Sequence, residues 1–234
     1  MKLKSILLPP PVKARHHVHS VLFSPEDDAA QPSDHLIDVA VEAIKLAQRT
    51  ELKDVSARMP APPYWPDQWP GEHYRLLAAF VRLLQPRQVI EVGTFTGLSC
   101  LAMRKFLPLH GKLATFDLIK WADFEDTCLR ASDFEDGTMT QILGDLSDPQ
   151  VVAAHRAVLS EATLFFVDGP KDKRFEPRFL DNLKQVPFAQ APYLVFDDIR
   201  TWKMLAIWRG IRAPKLDLTS FGHWTGTGLV HWTR

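Results

Sequence analysis

The chain has 234 residues and no net charge, because 28 basic side chains balance 28 acidic ones. This balance argues against a nucleic-acid-binding protein, which needs a basic surface to displace counterions from phosphates. The hydrophobic content of 46% excludes wholesale disorder, and two cysteines cannot build a disulfide framework. The sequence shows neither a signal-peptide pattern nor an apolar run of the ~20 residues that a membrane span needs. We therefore expect a soluble, cytoplasmic protein with neither nucleic acid nor membrane as a partner.

The first 70 residues contain ten of the chain's 18 prolines, which suit irregular backbone and interrupt helices and central strands. Within them, Ser33 or Asp34 can cap a helix, and apolar residues recur at helical spacing from Leu36 to Ala47. We predict that residues 1–70 form a lead-in with one amphipathic helix, and that residues 71–234 form the main domain.

After residue 71, apolar residues from Leu76 to Leu84 predict a second helix, which ends before Pro86. Five short apolar runs follow, with helical patterns at 151–159 and 175–186 between them. The runs are QVIEV (88–92), LATFD (113–117), TQILG (140–144), TLFFVD (163–168) and YLVFDD (193–198). The final runs, KLDLTS and GLVHW, flank a glycine-containing turn and predict an antiparallel hairpin. This alternation predicts an α/β fold with a doubly wound, mostly parallel sheet.

Ligands of such sheets bind beyond the carboxyl ends of the strands. Four of the five runs finish on or just before a carboxylate, namely Asp117, Asp145, Asp168 and the pair Asp197-Asp198. A carboxylate in this position can simply cap the next helix. Four strand ends with carboxylates at one edge of a sheet indicate a ligand site more than helix capping alone.

The first run leads into a turn with the pattern E-x-G-x-x-x-G, from Glu91 to Gly97. The middle glycine of a dinucleotide-binding fingerprint is missing, which disfavours a nucleotide-dependent oxidoreductase. The turn suits a ligand whose ammonium faces Glu91 and whose carboxylate meets backbone N–H groups and Ser99. Asp117 can accept hydrogen bonds from two ribose hydroxyls, and Asp145 can accept one from the amine of adenine. An amino acid, a ribose and an adenine together describe S-adenosylmethionine.

The stretch EVGTFTGLS (91–99) resembles the motif region of class I S-adenosylmethionine-dependent O-methyltransferases, in particular the catechol and caffeoyl-coenzyme A O-methyltransferases and their bacterial relatives. The resemblance runs from about residue 71 to the C-terminus. It implies a seven-stranded, Rossmann-like methyltransferase sheet and methyl transfer to a hydroxyl oxygen of a small-molecule acceptor. The cofactor-binding residues that it implies are Glu91, Gly93, Thr94, Phe95, Gly97, Ser99, Asp117, Asp145 and Leu146.

Two further stretches of this resemblance imply a divalent cation. VDGPKD (167–172) resembles the catechol-enzyme segment in which an Asp binds the metal and a Lys is the base, here Asp168 and Lys171. FDDI (196–199) resembles the next strand end, although Asp197 and Asp198 replace an Asp-Asn pair. Converging carboxylates need a cation, and oxygen ligands suit Mg²⁺, Mn²⁺ or Ca²⁺. We predict Asp168, Asp197 and Asp198 as metal ligands, and Lys171 and Asp168 as catalytic residues.

Other interpretations stay open at this point. His223 in the hairpin turn could be the base of a metal-independent methyltransferase, or only a hydrogen-bonding turn residue. Lys171 could be a solvated surface lysine, and the chain could bind the cofactor without catalysis. The aromatic, proline-rich segment 61–74 could form a lid or cover a sheet edge, and Glu72 and Tyr74 lie where related enzymes cover the cofactor. A homodimer is compatible with everything in the sequence.

Overall fold

The structure is a computed structural model that describes residues 30–69 and 72–233, apart from the side chain of Trp202. The first 29 residues of the predicted lead-in lie outside the described residues. In the part that is described, no helix is long and apolar enough to cross a membrane.

Seven strands form one sheet in the order β3-β2-β1-β4-β5-β7-β6. The strands are β1 (Gln88–Val92), β2 (Lys112–Asp117), β3 (Met139–Leu143), β4 (Leu164–Val167), β5 (Tyr193–Asp197), β6 (Lys215–Asp217) and β7 (Thr227–His231). Strands β1 to β5 run parallel to one another, and β7 runs antiparallel to both β5 and β6. The predicted fold, a mostly parallel sheet that ends in an antiparallel hairpin, is confirmed. The chain reverses direction across the sheet between β1 and β4, the position where such sheets bind ligands.

Helices cover both faces of the sheet. They are α1 (Asp34–Gln48), α2 (Lys53–Ser56), α3 (Tyr74–Leu84), α4 (Leu98–Arg104), α5 (Pro149–Ala154), α6 (Arg156–Ser160), α7 (Phe175–Leu183) and α8 (Trp202–Gly210). Side chains of the first four pack into one hydrophobic core, and side chains of the last four pack into the other. Successive side chains of a strand point to opposite faces of the sheet and so contribute to both cores. Val89 and Leu164 pack into one core, and Ile90 and Phe165 pack into the other.

Two predicted helices differ from the observed ones. The pattern at 151–159 forms two short helices, because His155 between them has the non-helical torsion angles φ −107° and ψ 17°. The pattern at 175–186 ends as a helix at Leu183. Pro187 disfavours helical backbone at Val186, so the helix cannot continue to the end of the predicted pattern.

The first helix packs directly against the sheet domain. Ser33 caps it, because the Ser33 Oγ accepts the N–H of Leu36 at 3.2 Å. The apolar face of α1 is at most 1% exposed and joins the core that α3 and α4 line. The buried side chains of this face are Leu36, Ala40, Ala43 and Ala47. α1 therefore shares its core with the sheet, and the division of the chain at residue 70 stays a prediction.

The buried Lys215 of β6 closes the C-terminal end of α8. Its Nζ donates to the carbonyl oxygens of Trp208 at 2.7 Å and Ile211 at 2.8 Å, where a helix leaves carbonyls unpaired and favours a cation. We expect Lys215→Met to lower the free energy of unfolding by about 2–4 kcal/mol, because these carbonyls lose a charged donor. Urea denaturation measures this, with the exposed Lys203→Met as the control. Equal losses in the two variants would contradict the assigned role.

Candidate active site

Two glycines shape the turn between β1 and α4. Gly93 has φ +93°, and a Cβ on it would lie 2.4 Å from the carbonyl oxygen of Asp168. Gly97 has φ +84°, and a Cβ there would overlap the side chain of Leu129. Both positions therefore require glycine, for backbone conformation and for space. The turn lies directly against the end of β4 and leaves room at the carboxyl edge of the sheet.

Asp117, at the end of β2, holds the same turn in place. Its Oδ2 accepts the backbone N–H groups of Thr94 at 2.8 Å and Phe95 at 3.1 Å, and its Oδ1 accepts the N–H of Ile119 at 3.0 Å. A carboxylate offers about four lone-pair sites, so acceptor capacity remains for a ligand hydroxyl. Phe95 is held with φ +42°, a backbone conformation that is costly outside glycine.

A cavity of about 620 Å³ opens beside this turn, at the carboxyl ends of β1 to β4. Its volume is in the range of small-molecule and cofactor sites. Six of the predicted cofactor or catalytic residues line it, namely Gly93, Phe95, Asp117, Asp145, Leu146 and Asp168. Phe124 and Phe175 add aromatic walls, and Arg174 and Arg178 add positive charge.

The other four predicted cofactor residues do not line the cavity. Thr94 supports the turn from behind, since its Oγ1 lies 2.8 Å from Thr115 Oγ1 and accepts from Gln141 Nε2 at 3.1 Å. Gly97 begins α4, and Ser99 in its first turn is 8% exposed. Thr94, Gly97 and Ser99 therefore support the turn and do not face the cavity.

The fourth, Glu91, is completely buried behind the turn. The Cys100 thiol donates a hydrogen bond to Glu91 Oε2, while Oε1 has no hydrogen-bond partner among the described residues. Burial raises the pKa of Glu91 from 4.5 to about 7, although the hydrogen bond from Cys100 opposes this.

This pKa predicts how stability depends on pH. Since the folded-state pKa of about 7 lies above the ordinary 4.5, the bound proton stabilises the fold at low pH, and this contribution is lost as the pH rises through 7. We expect the wild type to lose about 3 kcal/mol relative to Glu91→Gln between pH 4.5 and pH 8. Urea denaturation across this pH range measures the difference, with the exposed Glu135→Gln as the control. Parallel curves for wild type and Glu91→Gln would contradict the prediction.

At the ends of β4 and β5, Lys171 lies between two of the predicted metal ligands. Its Nζ donates to Asp168 Oδ1 and to Asp198 Oδ2, the latter at 2.8 Å. Burial opposes the charged form, but the carboxylates of Asp168 and Asp198 raise the pKa of Lys171 well above its usual value. In this state the lysine is a protonated hydrogen-bond donor. It is not a solvated surface lysine, since its side chain is 19% exposed.

The adjacent Asp197 faces two histidines instead. Its Oδ1 lies 3.2 Å from His223 Nδ1 and 3.7 Å from His73 Nδ1. Burial would raise the pKa of Asp197, but the imidazoles of His73 and His223 lower it below its usual value. On the other side of the His223 ring, Nε2 lies 3.5 Å from Glu72 Oε1. Burial raises the pKa of Glu72.

Within the described part of the chain, no single group of mutually close ligand atoms contains all three carboxylates predicted as metal ligands. Among the described residues, mutually close ligand atoms, all within 4.8 Å, occur in two groups. They are Asp197, Asp198 and His223, and Glu72, His73 and His223. Asp168 belongs to neither group, and the ammonium of Lys171 already balances its charge. The residues do not fit the predicted all-oxygen magnesium site.

Comparisons with known proteins agree with this fold. A family model described as O-methyltransferase matches residues 42–131. The O-methyltransferase from Bacillus cereus in complex with S-adenosylhomocysteine is 16% identical, with a TM-score of 0.54 over 86% of this chain and 92% of that chain. A methyltransferase from Geobacter sulfurreducens is 16% identical, with a TM-score of 0.53 over 84% and 90%. The S-adenosylhomocysteine-bound methyltransferase from Podospora anserina is 14% identical, with a TM-score of 0.52 over 84% and 88%. No curated protein sequence matches the chain.

The sheet order and the glycine turn define a Rossmann-like methyltransferase fold. The family model covers residues 42–131 only, and over that part the chain is similar to O-methyltransferases. The narrower resemblance to the catechol and caffeoyl-coenzyme A enzymes stays a prediction, as do the individual site residues.

Proposed function

We propose that the protein transfers the methyl group of S-adenosylmethionine to a hydroxyl oxygen of a small-molecule acceptor at the carboxyl edge of the sheet. One observation supports this most: the ends of β1 to β4 bring six predicted residues to one cavity beside a turn that only glycine can form. The tight turn gives a ligand close access to the backbone, as a cofactor cradle requires.

The residues around the cavity suit the separate parts of this cofactor. Asp117 keeps acceptor capacity for the ribose hydroxyls, and Asp145 with Leu146 lies on the strand-end loop expected to hold the adenine. Glu91 places a buried carboxyl behind the turn, and its ionised form would favour the methionine ammonium. The bound cofactor supplies an electrophilic methyl group on a sulfonium, and the protein's task is to position an acceptor oxygen against it.

On the acceptor side, Lys171 is the cation closest to the cavity-lining Asp168. A held ammonium can donate a hydrogen bond to an acceptor hydroxyl oxygen and favour its ionised, more nucleophilic form. This is a different role from the base implied by the resemblance, because the carboxylates of Asp168 and Asp198 raise the pKa of Lys171. The predicted divalent cation is assigned no step, since Asp168 stands apart from the groups that could share an ion.

Calorimetric titration of the full chain tests the cofactor. We expect S-adenosylmethionine and S-adenosylhomocysteine to bind and NAD to give no heat of binding. Transfer is then assayed as formation of S-adenosylhomocysteine with phenols, catechols and sugars as acceptors, with and without a chelator. Binding of NAD alone would favour the oxidoreductase alternative, and cofactor binding without acceptor-dependent turnover would favour a non-catalytic protein.

A further inference from the structure

Gln141 of β3 connects two segments that form parts of the cavity wall. One is the turn between β1 and α4, and the other is the chain that follows β2, residues 118–124, which we call the β2 loop. We propose that Gln141 is a positioning residue for S-adenosylmethionine, which holds the turn and the β2 loop at the separation that the cofactor needs. The inference rests on the proposed function and adds a residue that the sequence patterns do not indicate.

The side-chain amide of Gln141 forms hydrogen bonds at both of its ends. Its Nε2 donates to Thr94 Oγ1 at 3.1 Å and to the carbonyl oxygen of Ile119 at 3.0 Å, and its Oε1 accepts the N–H of Trp121 at 2.9 Å. Only this orientation of the amide fits, because a carbonyl can only accept and a backbone N–H can only donate. The Thr94 hydroxyl thus accepts from Gln141 and keeps its own hydrogen for Thr115 Oγ1, 2.8 Å away.

Both connected segments supply walls of the cavity. Gly93 and Phe95 line it from the turn, and Leu118 and Phe124 line it from the β2 loop. Gln141 is not among the lining residues. The rings of Phe95 and Phe124 meet edge to face, with centroids 5.5 Å apart, so the two segments also contact each other at the cavity. Gln141 therefore acts on a bound ligand only through the segments that it holds.

Hydrogen bonds hold the start of the β2 loop, since Leu118 and Ile119 are 73% and 48% exposed and add little packing. Asp117 accepts the N–H of Ile119, whose carbonyl oxygen accepts from Gln141. The N–H of Trp121 donates to the same amide. Without Gln141, the loop loses these two links to β3. A loop that is already ordered in its bound conformation raises affinity, because the ligand does not have to order it.

Thr94 extends the same connection to the glycine turn. It is 1% exposed, its backbone N–H donates to Asp117 at 2.8 Å, and its hydroxyl contacts Gln141 and Thr115. Asp117 and Gln141, from neighbouring strands, therefore each contact both Thr94 and Ile119. Because Asp117 and the strand pairing remain, we expect the loss of Gln141 to shift the cavity wall without unfolding the sheet.

Calorimetric titration of the full chain with S-adenosylhomocysteine tests this role. We expect Gln141→Leu, which keeps a similar side-chain size and removes all three hydrogen bonds, to weaken binding about tenfold. Thr94→Val removes only the hydroxyl and should weaken binding about threefold, whereas Thr94→Ser keeps the acceptor and should bind within about twofold of the wild type. Thr140→Leu is the matched control, since Thr140 is exposed on the same strand and its side chain points to the other face of the sheet.

Two further measurements separate positioning from a general loss of stability. Hydrogen exchange of the free protein should be about tenfold faster at residues 118–124 in Gln141→Leu and unchanged in Thr140→Leu. The double variant Gln141→Leu/Thr94→Val should bind no more weakly than Gln141→Leu alone, because both changes break one connection.

Thermal unfolding verifies that each variant is folded. If Gln141→Leu is not, Gln141→Glu, which loses both donors and keeps the acceptor, provides the same test. Wild-type affinity in the folded variant, an equal loss in Thr140→Leu, or additive losses in the double variant would overturn the role of Gln141 and leave the proposed function intact. A wild-type chain that binds no S-adenosylhomocysteine would contradict the proposed function and this role together, so the two failures are distinguishable.

Discussion

We expect Gly93→Ala to reduce S-adenosylhomocysteine affinity at least 100-fold and to lower the free energy of unfolding by about 2–4 kcal/mol. The added Cβ would lie 2.4 Å from the carbonyl oxygen of Asp168, so either the turn or the end of β4 must move. Both elements line the cofactor cavity, and the alanine would also have to adopt φ +93°. Calorimetry measures the affinity, and urea denaturation measures the stability.

Gly137→Ala is the control for Gly93→Ala, because it separates the effect of backbone strain from the steric overlap of the added Cβ. Gly137 also has a positive φ, +67°, but a Cβ there meets no atom within 4 Å. We expect this variant to cost only about 1–2 kcal/mol of stability and to keep the cofactor affinity of the wild type. Wild-type affinity in Gly93→Ala would show that the cofactor does not bind beside this turn.

The second large effect is expected for Asp117→Ala. The carboxylate accepts three backbone N–H groups, at Thr94, Phe95 and Ile119, and lines the cavity. Its removal leaves these donors without the acceptor and withdraws the proposed ribose contact. We expect a 10- to 100-fold loss of S-adenosylhomocysteine affinity, which corresponds to about 1–3 kcal/mol. Calorimetry gives this value directly.

Asp148→Ala is the matched control, since it tests whether Asp117 only caps a local turn. Asp148 also accepts a backbone N–H, that of Gln150 at 2.8 Å, and caps α5 without lining the cavity. We expect Asp148→Ala to cost about 1 kcal/mol of stability and no cofactor affinity. If Asp117→Ala behaves in the same way, the ribose assignment is wrong.

Much of the fold could be predicted because the apolar pattern of each strand indicates which of its faces are buried. Five apolar runs, four of which finish on or just before an acid, correspond to β1 to β5, and the hairpin at the end is confirmed. The interruption at His155 was not predictable, because apolar spacing continues through it while the backbone does not. The packing of α1 was not predictable either, since a helical stripe shows that a helix buries one face but not what that face contacts.

The same distinction, between features with a local sequence signal and features without one, applies to the candidate site. The turn at Gly93 and the acid at Asp117 have local signals, so their placement at one cavity could be expected. The contact between His73 and His223 joins positions 150 residues apart in sequence, and no spacing rule relates them. Lys171 was expected as a base, but its protonation depends on how closely Asp168 and Asp198 approach it, which only the three-dimensional structure gives.

The antiparallel direction of β7 brings the connection that precedes it to the carboxyl edge of the sheet. Because Thr227 at the start of β7 pairs with Asp197 at the end of β5, the connection at 218–226 emerges at the carboxyl edge and delivers His223 there. The cavity proposed for the cofactor, by contrast, is built by strands on the other side of β5. Replacing this single connection would therefore change the surroundings of His223 while the strands that build the cavity keep their register.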